Sequence, residues 1–241
     1  MKRAVIMGAS SGMGREVARI LAEKGWRLGI AARREEMLQS LQAQYPQSIE
    51  YQVIDIEQEN APELLLSLID KIGGMDLYFH GSGVGWHNEE LDPSVELKTC
   101  AVNTTGFTRM VTAAWNYFKE KGGGHIAVIS SIAGTKGLGP APSYSATKSF
   151  DNTYIQALSQ LSRKSKLGIR FTDIRPGFVD TPLLDTSKHH YPMLMKQDKV
   201  AKRIVSAIEH KKRVAVIDWR YRILVFYWRL IPNRIWEKIK L

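Results

Sequence analysis

Residues 2–21 read KRAVIMGASSGMGREVARIL, and this stretch indicates the architecture more strongly than any other. A short apolar run comes first, and Gly8, Gly12 and Gly14 follow it. A helical pattern then begins at Arg15. Glycines between a strand and a helix are the context that a dinucleotide-binding loop requires, and the alternative is a glycine-rich turn without a ligand.

Each of the three glycines has a place in such a loop. Gly8 permits a sharp turn, Gly12 lets the backbone approach a pyrophosphate, and Gly14 allows the helix to pack closely on the strand. The spacing is Gly-x-x-x-Gly-x-Gly, and no Gly-Lys-Ser/Thr follows, which excludes a Walker A loop. The helix N-terminus would offer free N–H groups to the phosphates. The residues expected there are Gly8, Ser10, Ser11, Gly12, Met13 and Gly14.

Short apolar runs alternate with amphipathic stretches along the rest of the chain. The expected strands are 3–7, 27–32, 49–54, 75–80, 124–130, 169–174 and 213–217. The expected helices are 13–24, 34–44, 60–72, 95–121, 143–166 and 197–210. This alternation predicts an α/β fold, a Rossmann-type doubly wound parallel sheet of about seven strands with helices on both faces. A single domain over 1–218 and a C-terminal amphipathic extension over 219–241 are expected.

A tyrosine and a lysine stand four residues apart in Tyr144-Ser-Ala-Thr-Lys148. On a helix they share one face and can interact. A phenol ordinarily has a pKa of about 10, and a cation one turn away favours the phenolate. The pair therefore suits a general acid or base near neutral pH, although the same spacing also occurs by chance.

Further motifs occur in the order typical of one family. His80-Gly81-Ser82-Gly83 ends the fourth expected strand, Ser131 ends the fifth and lies 13 residues before Tyr144, and Arg175-Pro176-Gly177 follows the sixth. Together with the glycine loop, over about residues 3–218, they resemble the short-chain dehydrogenase/reductase family. The family usually has Asn-Asn-Ala-Gly where this chain has His80-Gly81-Ser82-Gly83.

The resemblance implies a catalytic set of Asn103, Ser131, Tyr144 and Lys148. Tyr144 would donate the proton, and Ser131 would hydrogen-bond and polarise a carbonyl. Lys148 would hold the nicotinamide ribose hydroxyls and lower the pKa of the phenol. Asn103 would anchor a water that relays protons from solvent. The working residue stands at all four positions, so an enzyme is favoured over a non-catalytic NADP(H)-binding sensor or scaffold of the same fold.

The resemblance also implies the remaining cofactor contacts. Thr181 would hold the nicotinamide carboxamide, the backbone near Gly177 and Val179 would fix the ring, and Asp55 with Ile56 would contact adenine. The full expected set beyond the glycine loop is Arg33, Arg34, Asp55, Ile56, Gly81, Ser82, Gly83, Tyr144, Lys148, Pro176, Gly177, Val179 and Thr181. No metal is expected. His189 and His190 are adjacent and cannot both face one metal, so they are assigned to the substrate loop.

The second expected strand is followed by Arg33-Arg34. An NAD enzyme usually places Asp or Glu here for the ribose 2′-hydroxyl, whereas Arg can bind a 2′-phosphate through a charge-assisted fork. NADP(H) is therefore the expected cofactor, and Arg15 is a candidate for a second positive charge. The alternative is that Arg33 is only a solvated charge at a helix start.

Composition restricts the class of protein. The chain has 241 residues, one cysteine (Cys100) and a formal net charge of +10. The length suits one α/β domain, and a lone cysteine suits a reducing cytoplasm. No secretory signal or bilayer-spanning run is expected, so the expected location is the cytoplasm, with peripheral contact at the inner membrane face as an addition. No nucleic-acid partner is expected, because no basic helix or stacking platform stands out.

The last 23 residues are rich in aromatic and basic side chains. The aromatic residues are Trp219, Tyr221, Phe226, Tyr227, Trp228 and Trp236, and Pro232 is expected to break the helix. Trp, Tyr and Arg together favour a membrane interface, but the same helix could pack on a second subunit or on its own core. All three arrangements stay open, and a homo-oligomer, dimer or tetramer, is expected.

The substrate class is inferred from one apolar segment. Residues 182–199 include Met193, Leu194 and Met195 and are expected to form a lid over the site. The expected substrate is a small-molecule ketone or secondary alcohol, and an apolar lid beside an aromatic tail suits a lipophilic one.

Overall fold

A computed structural model describes residues 1–184 and 191–239. Within those ranges the strands are β1 (Arg3–Met7), β2 (Arg27–Ala32), β3 (Ile49–Val53), β4 (Leu77–His80), β5 (Gly124–Ile129), β6 (Ile169–Arg175), β7 (Val179–Asp180), β8 (Met195–Lys196) and β9 (Val214–Val216). The helices there are α1 (Gly12–Glu23), α2 (Glu35–Gln42), α3 (Ala61–Lys71), α4 (Pro93–Cys100), α5 (Phe107–Glu120), α6 (Pro142–Lys164), α7 (Gln197–Glu209), α8 (Trp219–Leu230) and α9 (Asn233–Trp236). None of these helices is both long and apolar enough to cross a bilayer.

Seven of the strands form one sheet in the order β3-β2-β1-β4-β5-β6-β9, and every pairing is parallel. Parallel strands are buried on both faces and therefore read as continuous apolar runs, as 4–7 does with all four residues buried. One face is covered by α1, α2, α7 and α8, and the other by α3, α5 and α6. The predicted fold class is confirmed.

The predicted sheet strands and helices all occur, with ends displaced by no more than two residues. The helix predicted over 95–121 differs in detail. A π-helical turn, Ala101–Gly106, separates α4 from α5 and contains Asn103. Such π-bulges occur frequently at functional sites, and hydrophobic periodicity does not reveal them.

The two-stranded sheet of β7 and β8 was not predicted. Val179 pairs with Met195 and Asp180 with Lys196, and these strands are too short to give an alternating pattern. The pair brings the two ends of the segment around residues 182–194 together. The predicted lid is described only in part, because residues 185–190, including His189 and His190, lie outside the described residues.

The C-terminal tail folds back onto the domain. Tyr221 and Val225 on α8 and Trp236 on α9 are buried, and the helix ends before Pro232, as expected. Tyr221 and Val225 belong to the same apolar core as α1 and α7. One face of the tail therefore packs on the protein's own core, which was one of the three open arrangements.

The sheet order reverses between β1 and β4, whose carboxyl ends lie side by side. Chains leave these two strands in opposite directions, which opens a crevice above them, and ligands of open α/β sheets bind in such a crevice. The loops that carry the sequence motifs follow β1, β4, β5 and β6 and meet at this edge.

Candidate active site

The loop after β1 is held in shape by close backbone contacts. Gly8 has a φ of +87°, and a Cβ there would lie 2.7 Å from the carbonyl carbon of Gly81. A Cβ on Gly14 would lie 2.3 Å from the carbonyl oxygen of Gly8. Only glycine fits both positions, because real Cβ atoms do not approach so closely. The loop after β1 and the loop after β4 are thereby locked together.

The N-terminus of α1 faces this crevice. The N-cap residue, Ser11, makes no side-chain capping bond, and the first turn contains no acidic residue. The first N–H groups of a helix have no intrahelical partners and carry partial positive charge. The site therefore fits an anionic group such as a phosphate.

Two arginines follow β2 at the rim. Arg34 donates to the hydroxyl oxygens of Ser10 at 3.0 Å and Ser11 at 2.6 Å. Arg33 also lines the crevice. Arg15 points elsewhere, since its guanidinium donates to the carbonyl oxygen of Met37 at 2.6 Å. Arg15 joins α1 to α2, and the expectation that it adds charge to the cofactor site is not met.

Most of the expected cofactor residues line one cavity. Those that do are Gly8, Ser10, Ser11, Gly12, Met13, Gly14, Arg33, Arg34, Asp55, Ile56, Gly81, Ser82, Gly83 and Thr181. Thr181 reaches across from the far side, where its side chain would lie 3.5 Å from a Cβ on Gly12. The expected cofactor residues that do not line this cavity are Tyr144, Lys148, Pro176, Gly177 and Val179.

Asn103 is buried in the π-helical turn and tied to the loop after β4. Its Oδ1 accepts from the amide of Val84 at 2.9 Å, and its Nδ2 donates to the carbonyl oxygen of Val84 at 2.7 Å and to Thr147 Oγ1 at 3.1 Å. A Cβ on Gly83 would lie 3.4 Å from Asn103 Oδ1 and 3.6 Å from Lys148 Nζ. Asn103 and Lys148 therefore meet at Gly83.

Ser131 and Tyr144 come from neighbouring elements. Ser131 caps a short 3-10 helix, Ile132–Thr135, and its hydroxyl oxygen accepts from the amide of Ala133 at 3.1 Å. Tyr144 lies in the first turn of α6, half-buried, with its ring against Gly85, where a Cβ would lie 2.5 Å from the ring. Ser131 thus follows the carboxyl end of β5, and the ring of Tyr144 packs on the loop after β4.

Lys148 has a partner that sequence reasoning missed. Its Nζ lies 2.9 Å from the Oδ2 of Asp151 and donates to the carbonyl oxygen of Ile129 at 3.1 Å. Burial alone would lower the pKa of Lys148, but the charges of Asp151 and Tyr144 outweigh it and raise that pKa above its ordinary value. The spacing could have revealed the pair, because residues 148 and 151 share a helix face with residue 144.

His80 occupies the place of the family's usual Asn and is buried beneath the crevice. Its Nδ1 is 2.9 Å from the hydroxyl of Tyr78, and its ring packs edge-on against Phe107. Burial and the positive charge of Lys148 lower the pKa of His80 to about 3. The side chain is therefore neutral at neutral pH.

The tail packs against the segment that follows Ser131. The indole of Trp228 donates to Thr135 Oγ1 at 2.8 Å, and the indole of Trp236 donates to the carbonyl oxygen of Gly137 at 2.7 Å. Lys136 closes the contact by donating to the carbonyl oxygen of Ile231 at 2.8 Å. These bonds join segments almost a hundred residues apart, and no local pattern indicates them.

Tyr221 of α8 supports the segment after β6. Its ring fills the space beside Gly177, where a Cβ would lie 2.2 Å from it. Its hydroxyl accepts from the amide of Phe178 at 3.1 Å and donates to the carbonyl oxygen of Pro192 at 3.0 Å. One side chain therefore joins the backbone at Phe178, before β7, to the backbone at Pro192, before β8.

Comparison with known proteins places this arrangement in a family. The family model for short chain dehydrogenases matches residues 2–192. An uncharacterised oxidoreductase from Myxococcus xanthus is 29% identical over 242 residues, covering 98% of this chain and 95% of that protein.

Solved structures share the fold. A 3-ketoacyl-(acyl-carrier-protein) reductase from Brucella melitensis, complexed with NADH, has a TM-score of 0.80 at 23% identity, over 90% of this chain and 96% of that one. An alcohol dehydrogenase from Thermococcus sibiricus, complexed with 5-hydroxy-NADP, has a TM-score of 0.76 at 26% identity, over 90% and 95%. The chain therefore belongs to the short-chain dehydrogenase/reductase family and is an oxidoreductase of that type.

Proposed function

We propose that this enzyme transfers a hydride between NADP(H) and a ketone or secondary alcohol. The observation that carries the proposal is the meeting of Asn103, Tyr144 and Lys148 around the glycines of 83–85, directly beside the cavity of the glycine loop. Ser131 stands on the neighbouring strand end. An acid, a cation and hydrogen-bond donors at one edge are what carbonyl reduction requires.

The residues of the crevice fit a dinucleotide. The uncapped N-terminus of α1 would hold the pyrophosphate, Asp55 and Ile56 the adenine, and Thr181 the carboxamide. Lys148 would hold the ribose hydroxyls. When bound, the nicotinamide would supply or accept the hydride, and the protein would contribute position and charge.

The chain's own residues would move the proton. Tyr144 would donate its hydroxyl proton to the carbonyl oxygen, while Ser131 hydrogen-bonds that oxygen. Ser131 is already oriented by its capping bond to Ala133. Lys148 and Asn103 meet at Gly83 and would return a proton to Tyr144 from solvent.

The proposed preference for NADPH over NADH is based on the two arginines that follow β2. Arg34 is held 2.6 Å from the hydroxyl of Ser11, and Arg33 lines the same cavity, so both guanidinium groups would meet a 2′-phosphate. The nearest acid along the chain, Glu35, accepts from the hydroxyl of Tyr51 instead. The bound 5-hydroxy-NADP of the Thermococcus sibiricus enzyme is in keeping with this choice.

The substrate is proposed to be a lipophilic carbonyl compound. Trp86, next to the glycine that packs on Tyr144, is exposed, and so are Leu183 and Leu194 of the lid segment. Exposed apolar side chains around an opening favour an apolar ligand. The direct test is NADPH oxidation against a panel of ketones of increasing chain length, with Tyr144→Phe as the inactive control. Tight NADPH binding without turnover of any carbonyl would favour the sensor or scaffold instead.

The outer face of α8 is proposed to rest on an anionic membrane surface at the cytoplasmic side. Trp219, Ile223, Phe226 and Leu230 follow one another at helical spacing, and each is about half exposed or more, with values of 64%, 48%, 62% and 65%. Exposed arginines, Arg222 and Arg229, flank this stripe. An aromatic and apolar stripe beside cationic side chains suits a headgroup boundary, and the net charge of +10 adds attraction.

Co-sedimentation with phosphatidylserine vesicles tests this contact. Phe226→Glu should abolish binding, while Leu161→Glu, at an exposed apolar position of α6, should not. Removal of 219–241 is a poorer test, because it deletes the buried Tyr221. Sedimentation velocity measures the expected dimer or tetramer, and a dimer lost in Phe226→Glu, without vesicle binding by the wild type, would identify the stripe as a subunit contact.

A further inference from the structure

Three ionisable side chains lie along one face of α6. Tyr144, Lys148 and Asp151 are spaced by four and three residues, and the last two are buried. Lys148 Nζ lies 2.9 Å from Asp151 Oδ2. The catalytic pair of the proposed function is therefore extended by a third, buried charge behind the lysine.

The other charged groups around Asp151 are accounted for. The negative charge of Asp173 on β6 opposes ionisation of Asp151. Asp173 is itself paired with Arg175 at 2.6 Å, and it accepts a hydrogen bond from the hydroxyl of Ser130. The positive charge of Arg213, before β9, also attracts Asp173. The imidazole of His80 on β4 is neutral near neutral pH. Among the described residues, Lys148 is the one cation in an ion pair with Asp151.

The ammonium group has three N–H donors. One is directed to Asp151 and one to the carbonyl oxygen of Ile129, which leaves one for the crevice. Two fixed bonds also hold the lysine in one orientation. Burial raises the pKa of Asp151 to about 6, and the Lys148 ammonium 2.9 Å away opposes that effect by stabilising the charged carboxylate.

A lone cation beside a phenol favours loss of the phenol proton, and an adjacent anion opposes that effect. In carbonyl reduction the C=O π bond breaks, the carbon gains a hydride from NADPH, and the oxygen gains the proton of Tyr144. The phenol must therefore be protonated for reduction and deprotonated for alcohol oxidation. Any group that offsets the charge of Lys148 changes the pH range of both directions.

We propose that Asp151 is a positioning residue that fixes the Lys148 ammonium and offsets its charge toward Tyr144, which favours the protonated phenol and therefore carbonyl reduction over alcohol oxidation. This inference rests on the proposed function for its reaction, but its effect on the phenol exists without turnover. It assigns Asp151 no contact with the substrate.

The test compares Asp151→Asn with the wild type over a range of pH. The pH above which kcat/KM for ketone reduction falls should move down by about one unit or more, because loss of a neighbouring anion favours the phenolate. The pH at which the rate of alcohol oxidation begins to rise should move down by the same amount. The ratio of oxidation to reduction near neutral pH should increase about tenfold. Asp173→Asn, which removes a buried carboxylate paired with Arg175, should shift the profile less.

A second readout needs neither cofactor nor substrate. The phenolate absorbance of Tyr144 can be isolated as the difference between titrations of each protein with and without Tyr144→Phe. Asp151→Asn should bring ionisation of this one phenol to lower pH in the cofactor-free protein. Asp151→Ser repeats the measurement with a smaller neutral side chain if the Asn variant does not fold.

An unchanged phenol titration in a folded neutral variant, or a shift to higher pH, would overturn the proposal. A shifted titration in a protein that turns over no carbonyl would contradict the proposed function and leave the role of Asp151 standing. Equal shifts for Asp173→Asn and Asp151→Asn would also overturn it, because the effect would then be a general consequence of removing a buried charge.

Discussion

The two walls of the crevice are built differently. The wall formed by β1, α1 and the start of α2 takes its shape from the backbone, since Gly8 and Gly14 leave no room for a side chain. The opposite wall, from β6 to α9, takes its shape from side chains of the tail, chiefly Tyr221 and Trp228. In the proposed function the first wall holds most of the dinucleotide, and the second borders the substrate.

The largest effect is expected from removing the buried ring of Tyr221 from the second wall. Tyr221→Ala should lower the free energy of unfolding by about 3–5 kcal/mol, because a fully buried aromatic side chain leaves a cavity. Chemical denaturation measures it. Tyr227→Ala, on the exposed side of the same helix, is the matched control and should cost little. An equal loss in both variants would show that α8 does not pack as described.

Tyr221→Phe separates the packing from the hydrogen bonds. It should leave the amide of Phe178 without its acceptor and the carbonyl oxygen of Pro192 without its donor, which lowers the free energy of unfolding by about 1–3 kcal/mol. The KM for the carbonyl substrate should rise more than the Kd of NADPH, because most of the expected cofactor residues lie on the first wall. Weaker NADPH binding as the main effect would mean that the two walls do not divide their roles.

A change in the first wall should weaken NADPH binding more than substrate binding. Gly14→Ala places a Cβ against the carbonyl oxygen of Gly8, and overpacking of this kind costs about 1–3 kcal/mol. NADPH affinity, measured by fluorescence titration, should fall about 10- to 100-fold. Gly137→Ala is the control, because a Cβ there meets no atom of the described residues within 4 Å. Unaltered affinity in Gly14→Ala would contradict the assignment of this loop.

A smaller effect concerns the charge at the rim of the first wall. Arg34→Asp should shift the ratio of catalytic efficiencies from NADPH toward NADH by about tenfold or more, since a charge-assisted hydrogen bond is replaced by repulsion. Arg33→Asp should act in the same direction. Arg15→Gln, which removes a guanidinium bonded to Met37, should leave the ratio unchanged. A wild type with equal efficiency for both cofactors would contradict the proposed preference.

The smallest effect at neutral pH is expected from the buried histidines, which act only on the acid side of the stability curve. Burial lowers the pKa of His80 to about 3 and that of His125 to about 4, so both take up protons more readily when unfolded. The stability that comes from keeping these two histidines neutral is fully present above about pH 6.5. As the pH falls from there toward 4, each histidine lowers the free energy of unfolding by about 1.4 kcal/mol per pH unit.

His80→Asn should remove one of these two contributions. Urea unfolding at several pH values measures the slope, and His210→Asn, at an exposed position, should leave it unchanged. A slope that is the same in the wild type and in His80→Asn would show that His80 is not buried as a neutral side chain.

The two walls also explain what the sequence could predict. The strands, the helices and the glycine loop follow from short-range rules, in which a residue's type and spacing settle the local backbone. The bonds from Trp228 to Thr135 and from Tyr221 to Pro192 join distant segments, so no window of sequence contains them. The π-helical turn at Asn103 likewise leaves no mark in the hydrophobic periodicity of residues 95–121.

Asp151 is a different case, because its spacing from Lys148 was visible in the sequence. A buried carboxylate three residues after a lysine reads as an ordinary surface ion pair until the burial of both groups is known. Arg15 is the opposite case, because its sequence position suggested a role that the structure does not support. It follows Gly14 directly, but its guanidinium is directed toward α2.

Isotope transfer tests the central claim most directly. NADPH labelled with deuterium at the transferring position of the nicotinamide would be incubated with the best ketone of the panel, and the alcohol product analysed by mass spectrometry. We predict one deuterium per product molecule for the wild type and turnover lowered about 10²- to 10⁴-fold in Tyr144→Phe, with NADPH affinity retained. Tight NADPH binding by the wild type with no label in any product, or label transfer at full rate by Tyr144→Phe, would contradict the account.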